Sequence, residues 1–145
     1  MQPNSAFEFR IRLAKGFLNE AQQDVSLERW RSCVDNCQLC VENAAKAILA
    51  LIGPVGRSHA PGQLLRLAIQ NARFPDIHID KILQLADLAD LLGNDIHIQS
   101  DYGDESLQRT PWELFTQSAA EKALVMAEEA HAIAVSLSSR SENAP

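Results

Sequence analysis

Apolar residues recur at alternating steps of three and four along most of the chain, which is the period of an amphipathic helix. One long run covers residues 26–52, and its apolar stripe comprises Val34, Cys37, Val41, Ala44, Ile48 and Leu51. Ser26 is the predicted N-cap. Gly53-Pro54 ends the helix, because glycine accepts a left-handed C-terminal position and proline cannot continue the helical hydrogen bonds. The pattern therefore predicts one helix of about 25 residues.

A second long helix is predicted over residues 111–138. Its start carries the strongest local signal in the chain, since Thr110 is an N-cap, Pro111 takes the first helical position and Glu113 completes a capping box. The same period predicts three shorter helices, at residues 5–22, 60–72 and 77–93. Apolar and polar positions alternate only briefly, at residues 95–99, so no strand is predicted.

These segments predict an all-α fold, a single-domain up-and-down bundle of four to five helices. The domain would cover residues 1–145, with an ordered core at 5–138 and a polar C-terminal tail at 139–145. A length of 145 residues suits one domain. With 46% hydrophobic and 22% charged residues, the composition is that of an ordinary globular protein.

The formal net charge of −6 argues against a protein that coats nucleic acid in general, which needs a basic excess. The charge is unevenly spread, however. Residues 1–74 hold nine basic and six acidic side chains, whereas residues 75–145 hold four basic and thirteen acidic side chains. Charge runs of this kind are typical of solvated helix faces. The alternative is two surfaces with different roles, the first of them suited to an anionic ligand.

The expected compartment is the cytoplasm. No apolar run approaches the roughly 18 residues of a membrane-spanning helix, and the N-terminus is charged where a signal peptide is apolar. Three clustered cysteines, Cys33, Cys37 and Cys40, make a poor disulfide framework and fit a reducing environment.

Metal and cofactor sites are not expected. The three cysteines lie on one face of a predicted helix, where free cysteines pack in the core, and a metal site would need a fourth ligand. Redox sensing is the alternative left open for them. A di-iron bundle needs two Glu-x-x-His motifs and lone glutamates such as Glu42. The chain has the motif once, from Glu128 to His131.

The turn Gly53-Pro54-Val55-Gly56-Arg57-Ser58-His59 is a candidate anion site. It precedes a helix that is predicted to begin near Pro61, and the backbone amides of a helix N-terminus favour anions. Arg57 can bind a phosphate bidentately. No Gly-Lys-Ser/Thr follows, so the turn is not a P-loop. The alternative is an ordinary loop with a capping side chain.

Residues 37–53 resemble the signature helix of HEPN domains (higher eukaryotes and prokaryotes nucleotide-binding domains). In that family, a Glu and a Lys spaced as Glu42 and Lys46 lie in an Ala-rich helix that ends at Gly. Arg57-Ser58-His59 with Leu64-Leu65 resembles the short loop, the His and the Leu pair that follow. Residues 119–128 resemble the last helix, and the whole match spans roughly residues 8 to 137.

Residues 100–104 resemble the family's segment before the last helix, often Ala-Arg-Tyr-Pro, through Tyr102. Here Asp101 and Gly103 stand where the family often has Arg and Pro. The resemblance implies a helical bundle that forms a homodimer and pairs with a minimal nucleotidyltransferase partner. It also implies a nucleotide or RNA ligand, for which the candidate residues are Glu42, Lys46, Arg57, His59 and Tyr102.

Some family members are metal-independent ribonuclease toxins with an Arg, four to six residues and a His. Arg57 and His59 are too close for that pattern. Arg73 and His78 satisfy it, although Pro75 interrupts the helical turn between them. The favoured hypothesis is therefore a non-catalytic dimeric HEPN-like module with a substrate-binding or toxin–antitoxin-like role. The alternative is a ribonuclease in which Arg73 binds the phosphate and His78 transfers a proton.

Overall fold

The computed structural model describes residues 5–143, with side chains as far as Ser138. The helices in chain order are α1 Ser5–Ser26, α2 Trp30–Ala50, α3 Pro61–Gln70, a 3-10 turn at Asp76–His78, α4 Ile79–Leu91, α5 Asn94–Tyr102, α6 Pro111–Leu114 and α7 Gln117–Asn143. The predicted all-α bundle is confirmed. Between residues 5 and 143 the structure forms no strand, and an isolated bridge joins Asp104 to Arg109.

The predicted boundary between the first two helices is wrong. α1 runs through Ser26, whose hydroxyl donates to the carbonyl of Gln23 at 2.7 Å instead of capping α2. The chain reverses at Glu28, which has a φ of 58°. The start of α2 is held by the buried carboxylate of Asp24, which accepts hydrogen bonds from Ser32 and Asn36, both at 2.8 Å.

The predicted helix at 111–138 is two helices. The capping box of Thr110 and Glu113 is present, but it starts only the one-turn α6. Phe115 then adopts an extended conformation that interrupts the helix. The hydroxyl of Thr116 accepts a hydrogen bond from the amide of Ala119 at 3.2 Å and so caps the long α7. The chain thus has two helix starts, at Thr110 and at Thr116, where the sequence pattern predicted one.

The bundle has more helices than the four to five predicted. Within residues 5–143 there are six longer helices and the one-turn α6. The briefly alternating residues 95–99 form part of α5, which accounts for the extra helix. The predicted helix at 77–93 begins as the 3-10 turn and ends at Leu91. The predicted tail at 139–145 lies partly in α7, which ends at Asn143, and residues 144–145 lie outside the described range.

The centre of the core is α2, which packs against both α1 and α7. α7 contributes small side chains, Ala120, Ala123, Ala127, Ala130 and Ala134, all fully or nearly buried. These let α2 approach closely enough for the thiols of Cys33 and Cys40 to reach the backbone carbonyls of α7 at 3.7 Å. The predicted core packing of the cysteines is confirmed. Burial raises the pKa of the Cys40 thiol to about 12, which keeps it neutral and unreactive.

Within the described part of the chain, no helix is both long enough and apolar enough to cross a bilayer.

Candidate functional site

The structure brings together three of the predicted site residues at the C-terminal half of α2. Glu42 is the centre: its Oε2 lies 3.3 Å from Lys46 Nζ, and its Oε1 lies 3.6 Å from His59 Nδ1. Gln38 donates to the same carboxylate at 3.4 Å. The Lys46 and Glu42 side chains are only 8% and 12% exposed. Glu42 therefore balances the buried ammonium and also contacts the loop that carries His59.

The other two predicted residues lie apart from one another. Arg57 is exposed in the loop between α2 and α3. Tyr102 ends α5 and is 79% exposed. Its neighbour Asp101 pairs with Arg31, which precedes Glu42 by eleven residues on α2. At 1.5 Å per residue that is about 16 Å along the helix, so Tyr102 does not join the Glu42 cluster.

An open cavity of about 350 Å³ lies between the loop after α2 and the helix α3. Its walls are largely apolar and include Leu49, Val55, Leu64 and Leu67, and the guanidinium-bearing Arg73 borders it. Arg73 donates a hydrogen bond to the carbonyl of Ile52, so the loop backbone holds its position. This placement of Arg73 beside the glycine-rich loop was missed, because residues 52 and 73 lie too far apart in sequence for a local pattern.

A second cavity has a volume of about 220 Å³. Arg73 and His78 both border it, together with apolar residues such as Phe74 and Leu137. The structure therefore brings the two residues of the ribonuclease hypothesis to one cavity, with the extended Pro75 between them. The Nδ1 atom of His78 is buried and has no hydrogen-bond partner.

The Glu-x-x-His motif lies on α7. Glu128 is exposed and His131 is half-buried. Burial, together with the nearby charge of Lys15, lowers the pKa of His131 below its usual range. Among the described residues, neither Glu128 nor His131 joins Glu42 in a cluster of metal-binding groups.

The sequence is similar to a known domain family and to a curated protein. The HEPN domain model matches residues 7–137. A protein of Methanocaldococcus jannaschii named "Putative toxin MJ1304" is 31% identical over 84 residues, which are 53% of this chain and 55% of the relative. The chain thus spans about half the length of this curated relative. Since the family model covers nearly all of the helical bundle, the chain belongs to the HEPN domain family.

Proposed function

We propose that this chain is a non-catalytic, homodimeric HEPN module that binds a nucleotide or an RNA end in the cavity beside Arg73. The observation that carries the proposal is the 350 Å³ cavity with apolar walls and a guanidinium at its border. Ligand sites of this size are typically apolar with few polar groups. The apolar walls can pack against a nucleotide base, and the guanidinium of an arginine can bind a phosphate bidentately.

The charges around the cavity support an anionic ligand. Arg57 is exposed on the loop whose residues Gly53 to Gly56 line the cavity. Lys46 is paired with Glu42. We therefore assign the Glu42 cluster to holding the loop in place, and Arg57 and Arg73 to holding the phosphate.

The protein partners belong to the same proposal. Ile77 is 73% exposed and lies outside the 350 Å³ cavity, so it is available for a protein–protein contact. We infer that one such contact forms the homodimer. The minimal nucleotidyltransferase partner is supported by the family membership, and a toxin–antitoxin-like role by the name of the relative.

A second candidate function is a metal-independent ribonuclease. It is favoured by the cavity that Arg73 and His78 share and by the unpartnered Nδ1 of His78. An unpaired imidazole nitrogen can take the proton of a ribose 2′-hydroxyl while a guanidinium stabilises the charge on the phosphate. The mostly apolar walls of this cavity and the extended Pro75 between the two residues favour binding over this reaction.

Arg73→Ala is expected to weaken nucleotide binding about 10–100-fold, because a hydrogen bond to a charged group contributes about 1.5–3 kcal/mol. Arg57→Ala is expected to act in the same direction. Sedimentation velocity with a fluorescent ATP analogue or a short labelled RNA reports the binding and the mass of the complex in one run. Arg12→Ala, an exposed arginine of α1, is the matched control and should bind as the wild type does.

Three outcomes of that experiment would contradict the proposal. Wild-type affinity in both Arg57→Ala and Arg73→Ala would remove the cavity from the binding site. A protomer mass at micromolar concentration would exclude the homodimer. Cleavage of the RNA in the presence of a chelator, lost in both Arg73→Ala and His78→Ala, would establish the ribonuclease in place of the binding module.

A further inference from the structure

A second cluster of polar side chains lies where α5 packs against α2. Asp35 comes from α2, and His97 and Asp101 lie one turn apart on the same face of α5. One ligand atom from each of the three residues lies within 4.8 Å of the others. The sequence pattern gave no sign of this cluster, because Asp35 and His97 are 62 positions apart.

The contacts of His97 fix which ring nitrogen is available. Nδ1 lies 2.8 Å from Asp35 Oδ1, which is a hydrogen bond from Nδ1–H to the carboxylate. Because Nδ1 is engaged by Asp35, Nε2 is the ring nitrogen that faces Asp101 Oδ2, at 3.7 Å. That distance is too long for a direct hydrogen bond. An imidazole nitrogen and a carboxylate oxygen at this separation can both bind one cation.

Asp101 is oriented as well. Its Oδ1 lies 3.5 Å from Arg31, which also donates to the carbonyl of Ser100 at 2.9 Å. The Arg31 guanidinium lies over the ring of Trp112, 5.6 Å from its centroid. Arg31 therefore engages one carboxylate oxygen and leaves Oδ2 to face His97. A histidine held by a carboxylate and a ligating carboxylate held by a donor are the outer contacts that metal sites show.

We propose that His97 Nε2 and Asp101 Oδ2 bind a divalent transition-metal ion, such as Zn²⁺ or Mn²⁺. Asp35 and Arg31 hold the two ligands, and water completes the coordination. A mixed imidazole and carboxylate set suits such ions, with bonds of about 2.0–2.2 Å. The side chains of His97 and Asp101 are about one-third exposed, so an ion can enter from solvent.

Isothermal titration of the metal-free full chain with ZnCl₂ or MnCl₂ tests this site. We expect one ion for each chain, and loss of that binding in both His97→Gln and Asp101→Asn. Asp35→Asn should weaken binding about 10–100-fold, as loss of an outer contact does. Asp95→Asn is the matched control, because Asp95 is an exposed carboxylate on the same helix and should leave the affinity unchanged. The ion should also raise the melting temperature of the wild type but not of Asp101→Asn.

No binding by the wild type, or unchanged binding in Asp101→Asn, would overturn the proposal. Asp101 is partly exposed, so that variant keeps the test valid if His97→Gln fails to fold. Titration with Co²⁺ adds a spectroscopic check. A thiolate-to-cobalt charge-transfer band would place the ion at the cysteines and would also overturn the proposal. No nucleotide is needed in any of these measurements, so their result is independent of the proposed function.

Discussion

Glu42→Gln is expected to lower the free energy of unfolding by about 3–5 kcal/mol, because it removes the partner of a buried charge. The Lys46 side chain is 8% exposed, and its ammonium lies 3.3 Å from the Glu42 carboxylate. Glutamine keeps the size of the side chain and one acceptor oxygen but removes the negative charge. The cost therefore comes from leaving the buried Lys46 side chain without its charged partner.

Two comparisons isolate that cause. The double variant Glu42→Gln/Lys46→Met removes both charges, and we expect it to recover most of the lost stability, since apolar replacements of buried ion pairs are often neutral. Asp87→Asn breaks a pair with Arg66 in which the carboxylate is 70% exposed, and should cost less than about 1 kcal/mol. Urea unfolding followed by circular dichroism gives all three values. A Glu42→Gln cost no larger than that of Asp87→Asn would show that Lys46 reaches water.

Leu65→Ala is expected to destabilise the protein by about 2–5 kcal/mol, the range for truncating a buried leucine. Leu65 lies on α3 and is fully buried, whereas Leu67 on the same helix is 52% exposed and forms part of the cavity wall. Leu67→Ala is the matched control and should change stability by no more than about 0.5 kcal/mol.

The same pair of variants separates folding from binding. Leu67→Ala should weaken binding of the nucleotide, since it removes part of the cavity wall, while the melting temperature stays close to that of the wild type. Equal destabilisation by the two variants would mean that α3 presents a different face to the core. Thermal unfolding and the binding measurement on the same samples give both readouts.

The helices could be predicted from the sequence because their periods are local. The α2 stripe from Val34 to Ile48 is buried as predicted, and the capping box at Thr110 exists. The ends of the helices were harder to predict from the sequence. The reversal between α1 and α2 uses a Glu28 with positive φ, a conformation usually associated with glycine. The break at Phe115 depends on which of two competing caps starts the long helix, and the tertiary packing decides that.

The candidate site could be predicted only where its residues share one helix. Glu42 and Lys46 are one turn apart, so the resemblance was enough to place them together. Arg73 reaches the loop after α2 because the chain turns back at Ala72, which has a φ of 55°. The spacing of apolar residues in the sequence does not indicate such a turn. The pairing of Asp35 with His97 is still less local, since it depends on how α5 docks on α2.

The alanine face of α7 has a consequence for how the bundle holds its alignment. A row of methyl groups is nearly smooth along the helix axis, so it offers little resistance to sliding of α7 past α2. The axial position of α7 relative to α2 must therefore be set by side chains that differ from this row of alanines. The buried Ile133 and Leu137, near the C-terminal end, and Cys33 and Cys40, through their thiol contacts, are such side chains. The thiol contacts of Cys33 and Cys40 thus help to fix the axial position of α7.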